Sequence, residues 1–329
     1  MSLAVEVSGL VKQYGRGGVR ALDGLDLRVP AGTVMGVLGP NGAGKTTAVR
    51  IITTLLRPTS GSVWVDGIDA LANPADVRTR IGLSGQYAAV DENLTGFENL
   101  RMVARLYGMS GNAAASRARE LLAAFRLEDA ANRRAGAYSG GMRRRLDLAG
   151  ALVARPKVVV LDEPTTGLDP RSRLDMWQVI EELVYDGATL LLTTQYLDEA
   201  DRLADRIAVI DKGRVVANGS AEELKATVCG ETLTVQIAHG QDAGPAQRVL
   251  AEIGVGEPVF DPATQLVTVL VAGGSKTMVE ALRRLDDSGV HVVDASVHKP
   301  SLDDVFLALT GEPAAPASES QPSPQEVLT

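Results

Sequence analysis

Two kinds of apolar pattern alternate along the first two thirds of the chain. Short apolar runs at Ala4–Val7, Val34–Leu38, Val158–Asp162, Thr189–Thr193 and Ile207–Ile210 have the length and β-branched content of strands. Stretches with helical spacing separate them, so the order predicts an α/β domain around a mostly parallel core sheet. Val5 to Val29 and Ser62 to Val65 read as an additional antiparallel β portion. Residues from about 88 to 152 are helix-rich and predict an arm standing on the sheet.

Past residue 227 the pattern changes. Thr232–Ile237, Gln265–Val271 and Val290–Val297 read as strands, while Ala246–Ile253, Lys276–Leu285 and Leu302–Leu309 read as helices. That order resembles a βαββαβ, ferredoxin-like unit followed by one more helix. From Glu312 to Thr329, Pro, Ala, Ser and Glu dominate, which predicts a disordered tail. The expected division is therefore 1–227, 228–311 and 312–329.

Chemistry enters at residues 39–47, which read GPNGAGKTT. Gly39, Gly44, Lys45 and Thr46 fit the phosphate-binding P-loop pattern, and Pro40, Asn41, Gly42, Ala43 and Thr47 complete the loop. An apolar strand precedes it, and Thr47–Ile52 can open a helix. In such a loop successive N–H groups point at phosphate oxygens, at the positive end of the helix. Lys45 can then reach the β- and γ-phosphates, and the Thr46 hydroxyl can ligate Mg²⁺. A second element, Lys157 to Pro164, is a β-branched strand ending in two carboxylates. Asp162 is expected beside the Mg²⁺. Glu163 is expected to face the attacking water as general base.

Between these elements, Tyr138-Ser139-Gly140-Gly141-Met142 precedes a helix from Arg143 to Leu152. In this order the chain resembles the ATP-binding subunit of an ABC transporter, whose signature reads close to LSGGQ. Gln86 fits that family's Q-loop, Gly167-Leu168-Asp169 its D-loop, and Tyr14 the aromatic that stacks on adenine. The resemblance implies a head-to-tail dimer with a second copy of the chain. Ser139, Gly140 and Gly141 of one copy would face ATP held by the other, with Asp169 beside it. It also implies Gln86 as a Mg²⁺ donor and catalytic-site residue, and a separately encoded membrane permease as partner.

Gln195 stands where the family usually carries a catalytic histidine. The three histidines, His239, His291 and His298, all lie past the nucleotide domain. A Gln amide can donate a hydrogen bond to the γ-phosphate but cannot titrate, so slow hydrolysis is expected. With Tyr138 to Asp147, Leu161 to Arg173, Thr193 to Asp211 and Pro300 to Gly311, the chain is similar to the daunorubicin/doxorubicin-resistance subgroup. This implies export of bulky amphipathic drugs from the cytoplasmic face of a bacterial membrane. A glycolipid, lipid or oligosaccharide cargo is the second reading, and a soluble ABC ATPase without a transport role the third.

Bulk properties narrow the picture. No apolar run approaches the ~20 residues of a membrane span, and the N-terminus reads without a signal peptide. Cys229 is the single cysteine, so no internal disulfide can form. The net charge of −8 argues against nucleic acid as a partner. The basic run Arg143-Arg144-Arg145 reads as a solvated helix face rather than a nucleic-acid patch, with a role for some of these arginines in holding nucleotide or the Q-loop as the alternative.

Overall fold

The strands buried on both faces gather in one sheet, where only one edge strand is half-exposed, and the other sheets are built from strands buried on at most one face. The computed structural model describes residues 2–15, 17–85, 89–185, 187–227, 231–272, 274–298 and 301–310. Its contacts divide the chain into two units, Met1–Ala221 and Glu222–Pro313. The first begins with β1 (Leu3–Gln13), β2 (Arg20–Pro30), β3 (Val34–Leu38), α1 (Lys45–Ile52), β4 (Ser60–Val65), β5 (Ile68–Asp69), α2 (Pro74–Arg78) and β6 (Ile81–Ser84). It continues with α3 (Gly96–Leu106), α4 (Gly111–Ala124), α5 (Gly140–Ala151), β7 (Val158–Asp162) and α6 (Pro170–Tyr185). It closes with β8 (Thr189–Thr194), α7 (Leu197–Leu203), β9 (Arg206–Asp211) and β10 (Arg214–Gly219).

A six-stranded sheet, in the order β10-β9-β3-β8-β7-β6, is parallel except for β10. Every residue of β3, β7 and β8 is buried, which is why these strands read as unbroken apolar runs. A four-stranded antiparallel sheet, β2-β1-β4-β5, carries the alternating segments. α3, α4 and α5 pack together through residues such as Leu100, Ala104, Leu121, Leu122 and Leu146.

Two strands of the core sheet have no counterpart in the sequence reading. β6 is only four residues long, and β10 is an edge strand with no fully buried side chain before Gly219. Two helices also start earlier than expected. α1 opens at Lys45 rather than Thr47, and α5 at Gly140 rather than Arg143. Ser139 caps α5 by accepting a hydrogen bond from the Met142 N–H at 3.3 Å. That cap offsets the poor helix propensity of the two glycines behind it.

The second unit follows α8 (Ala221–Thr227), which starts at the division. It contains β11 (Glu231–Ile237), α9 (Ala243–Ile253), β12 (Val255–Asp261), β13 (Leu266–Val271), α10 (Gly274–Asp287), β14 (Val292–His298) and α11 (Leu302–Thr310). Its sheet is antiparallel in the order β12-β13-β11-β14, the ferredoxin-like arrangement. Leu233, Val235 and Ile237 share one face with Val267, Val269 and Val271, against Leu250 and Leu285 of the helices. The sequence reading missed β12, an edge strand whose side chains are mostly exposed and which Gly256, Glu257 and Pro258 interrupt. The expected tail, 312–329, lies outside the described residues. Among those described, no helix is long and apolar enough to cross a membrane.

Tyr138, which departs from the family's leucine, is buried, and its hydroxyl donates to the Ala130 carbonyl at 2.7 Å. It also closes off the start of α3, because a Cβ on Gly96 would lie 2.2 Å from the Tyr138 Oη. Gly96→Ala is therefore expected to destabilise by about 1–3 kcal/mol through overpacking. In a Tyr138→Phe background the same change should cost measurably less, read as a double-mutant cycle in urea.

Glu199 on α7 is fully buried and accepts hydrogen bonds from Thr165 Oγ1 at 2.8 Å and Trp177 Nε1 at 3.1 Å. Burial pushes its pKa up, against the pull of those donors. A raised native pKa stabilises the fold below the unfolded value of ~4.3, and that contribution disappears as pH rises through the native value. Relative to Glu199→Gln, which cannot titrate, the wild-type Tm should fall as pH rises past ~4.3. Thermal melts that stay parallel across pH would contradict this.

Candidate functional site

The carboxyl ends of β3 and β7 lie on the same edge of the core sheet, flanking β8. After β3 the chain turns through Gly39–Gly44 into α1. Gly44 is its N-cap at φ +109°, and a Cβ there would meet the Ala21 carbonyl oxygen at 2.5 Å. Only glycine fits that turn. Lys45, in the first turn, is 5% exposed. Its Nζ donates to the Gly39 carbonyl at 2.6 Å and the Pro40 carbonyl at 3.1 Å, with Glu163 Oε1 3.9 Å away. Burial lowers the Lys45 pKa, and the charges of Glu163 and Asp162 oppose that shift.

Thr46, next along the helix, donates from Oγ1 to Asp162 Oδ1 at 3.4 Å. The same carboxylate oxygen accepts from Thr193 Oγ1 of β8 at 2.6 Å. A carboxylate and a hydroxyl converging there form the oxygen donor set that suits a hard cation such as Mg²⁺. Glu163 follows at φ +51°, a left-handed conformation that costs a non-glycine residue about 1–2 kcal/mol. Its N–H donates to Thr193, to Oγ1 and to the carbonyl oxygen, both at 3.1 Å. Its carboxylate accepts from Thr166 Oγ1 at 3.3 Å. Gln195 follows β8, one residue past Thr194, and is partly buried.

A 340 Å³ cleft opens beside this cluster, lined by Tyr14, Asn41, Gly42, Gly44, Lys45, Thr46, Thr47 and Glu163. Tyr14 is half-exposed, with its hydroxyl 3.5 Å from Thr47 Oγ1 and the Lys12 ammonium 5.4 Å from its ring centre. Ser139, Gly140 and Gly141 are not among its lining residues. They open α5 elsewhere, where the Gly141 backbone lies against Ser172 of α6. Ser172 donates from Oγ to Asp169 Oδ2 at 2.6 Å, and Asp169 Oδ1 accepts the Ser172 N–H. These bonds hold the exposed Asp169 carboxyl below its usual pKa. Two groups of expected site residues thus stand apart in one chain. Gln86 belongs to neither, because it lies outside the described residues.

The arginine run divides between its two readings. Arg143 does reach outward, to Glu92 at 2.7 Å. Arg144 is 7% exposed and its guanidinium points inward. Nε donates to the Pro164 carbonyl at 2.8 Å, and Nη2 to those of Asp162 and Glu163 at 3.2 and 3.0 Å. Nη1 donates to the Gly85 carbonyl and lies 3.7 Å from Asp147 Oδ2. Asp147, also buried, accepts from Ser84 Oγ at 2.6 Å and the Ala89 N–H at 2.7 Å. The i,i+3 spacing of opposite charges was the available sequence clue. It says nothing of which side of the helix is buried.

Comparison with known proteins fits this geometry. The ABC transporter family model matches residues 22–166. A daunorubicin resistance ATP-binding protein of Streptomyces coeruleorubidus is 52% identical over 94% of this chain and 95% of its own. A daunorubicin/doxorubicin resistance ATP-binding protein of Streptomyces peucetius is 50% identical over 98% and 97%. Among solved structures, a dimeric ATP-binding cassette bound to ADP and phosphate superposes at a TM-score of 0.60 with 29% identity, covering 66% of this chain and 98% of that one. The chain belongs to the ABC transporter family, as an ATP-binding, ATP-hydrolysing subunit.

Proposed function

We propose that this subunit drives export of drug-like amphipathic compounds, anthracyclines among them, through a separately encoded membrane permease at the cytoplasmic face of the membrane. The full-length likeness to daunorubicin resistance ATP-binding proteins carries the reading. In it, residues 1–227 form the ATP-binding domain, 228–311 a small appended domain and 312–329 a tail.

Two copies close head to tail on ATP. The separation of the two residue groups supports this, since each looks like half of an anion site. Tyr14 stacks on the adenine. The N–H groups of residues 41–47 and the Lys45 ammonium take the phosphates. From the second copy, Ser139 offers its hydroxyl hydrogen, which stays free while its oxygen caps α5. The N–H groups at Gly140 and Gly141 lie at the positive end of that helix, with Asp169 alongside.

Thr46, Asp162 and Gln86 would hold Mg²⁺, which when bound neutralises phosphate charge. Glu163 takes the proton as a water oxygen attacks the γ-phosphorus. The bond to the β,γ-bridging oxygen breaks, leaving ADP and phosphate. Gln195 donates its amide hydrogen to the γ-phosphate and moves no proton. The permease helix docks in a 290 Å³ groove lined by Leu83, Val90, Leu100, Val103, Tyr107 and Leu146. Leu55, 64% exposed, also lines it and adds to its apolar character.

Lys45→Ala should lower ATP turnover on the order of 10²–10³-fold, as loss of a phosphate donor does. Turnover within a few-fold of wild type would remove Lys45 from the site. Glu163→Gln should bind Mg·ATP and elute as a dimer on gel filtration, where a monomer would contradict the sandwich. Inverted vesicles holding the chain and its permease should take up doxorubicin with Mg·ATP, and Glu163→Gln should abolish that uptake. ATP hydrolysis without drug movement would overturn the drug cargo in favour of a lipid or oligosaccharide.

A further inference from the structure

The buried pair on α5 joins the turn after β7 to the end of β6 and to Ala89. One guanidinium, that of Arg144, holds the carbonyls of Asp162, Glu163 and Pro164, three consecutive residues of the turn in which Glu163 is left-handed. It also holds the Gly85 carbonyl. Its neighbour Asp147 holds Ser84 and the Ala89 N–H, so the pair grips the chain on both sides of positions 86–88. Both residues ride on the helix that Ser139, Gly140 and Gly141 open, two turns or less from those glycines. A lysine in place of Arg144 could not match this, because an ammonium lacks the planar fork of donors. A solvated helix face has no need of a guanidinium with all three nitrogens on backbone carbonyls.

We propose that Arg144 and Asp147 are positioning residues that transmit the placement of the Ser139–Gly141 helix to the Glu163 carboxylate and to the flanks of positions 86–88. When the second copy's nucleotide engages the start of α5, a small displacement of that rigid helix moves the Glu163 turn with it. Hydrolysis thereby waits for the closed dimer. The inference rests on Glu163 as the base and is independent of the cargo.

The test uses the full chain and measures steady-state kcat, mant-ATP affinity and the melting temperature of Arg144→Lys and Asp147→Asn. Misplacing a catalytic group by about an ångström costs on the order of 10²-fold. Arg144→Lys should therefore lose ~10²-fold in kcat while mant-ATP affinity changes less than about threefold. Asp147→Asn should show the same split more weakly, and it carries the test alone if the arginine variant fails to fold.

The decisive measurement is the residual turnover of Arg144→Lys in a Glu163→Gln background. A residue acting through Glu163 has little left to lose there, so a change under about twofold is expected. An undiminished loss in that background would overturn the proposal, as would a fall in affinity matching the fall in kcat. Unchanged kcat in Glu163→Gln alone would instead remove Glu163 as the base, a separate failure that withdraws this coupling with it.

Discussion

Four ionisable side chains at the end of the core sheet, Lys45, Asp162, Glu163 and Arg144, have less than a tenth of their surface exposed. Any one of them alone in that position would cost several kcal/mol in lost hydration. As a set, two cations and two carboxylates balance, and carbonyls and hydroxyls satisfy most of their remaining hydrogen-bonding capacity. That balance depends on a parallel sheet whose strands all end on one edge. β3 delivers the loop that ends in Lys45, β7 delivers both carboxylates, and β8 between them supplies Thr193. Distort the order of these strands and the charges lose one another.

The same constraint explains why the chain is built for partnership. An ammonium and backbone N–H groups on one side of a triphosphate leave its other side to water. The donors suited to cover it, Ser139 and the start of α5, sit with Asp169 and Ser172, away from the cleft that contains Lys45. A single chain cannot fold one group onto the other without breaking the packing of α5 against β6 and α6. Arg144 and Asp147 add hydrogen bonds that tie α5 to β6 and to the turn after β7.

The appended unit follows a different logic. Its strands are half-buried, its helices amphipathic, and its core is assembled from Leu233, Val235, Val267, Val269, Leu250 and Leu285. None of its three histidines, His239, His291 and His298, is buried, and all lie beyond the first unit. In the proposed ATP site the position after Thr194 carries Gln195, which can hydrogen-bond but holds no charge to switch. In the proposed mechanism the proton chemistry therefore falls to Glu163, whose backbone is held by Thr193 on one side and Arg144 on the other.

The P-loop, the two carboxylates after β7 and the Ser-Gly-Gly turn were legible because each packs its chemistry into a few consecutive residues. The buried strands were legible because a strand covered on both faces must be apolar throughout. β6, β10 and β12 were not, being short or at an edge, where burial imposes little pattern. Nor were Tyr138 against Gly96, Glu199 beneath Trp177, or Arg144 on three consecutive carbonyls. Each of these joins residues far apart along the chain, and local periodicity carries no record of which distant backbone a side chain will meet. Arg143, Arg144 and Arg145 are chemically identical as letters. The rotation of α5 on its own axis, set by the packing of Leu146, Leu148 and Ala149 into the core, left the first at the surface and turned the second onto the catalytic turn.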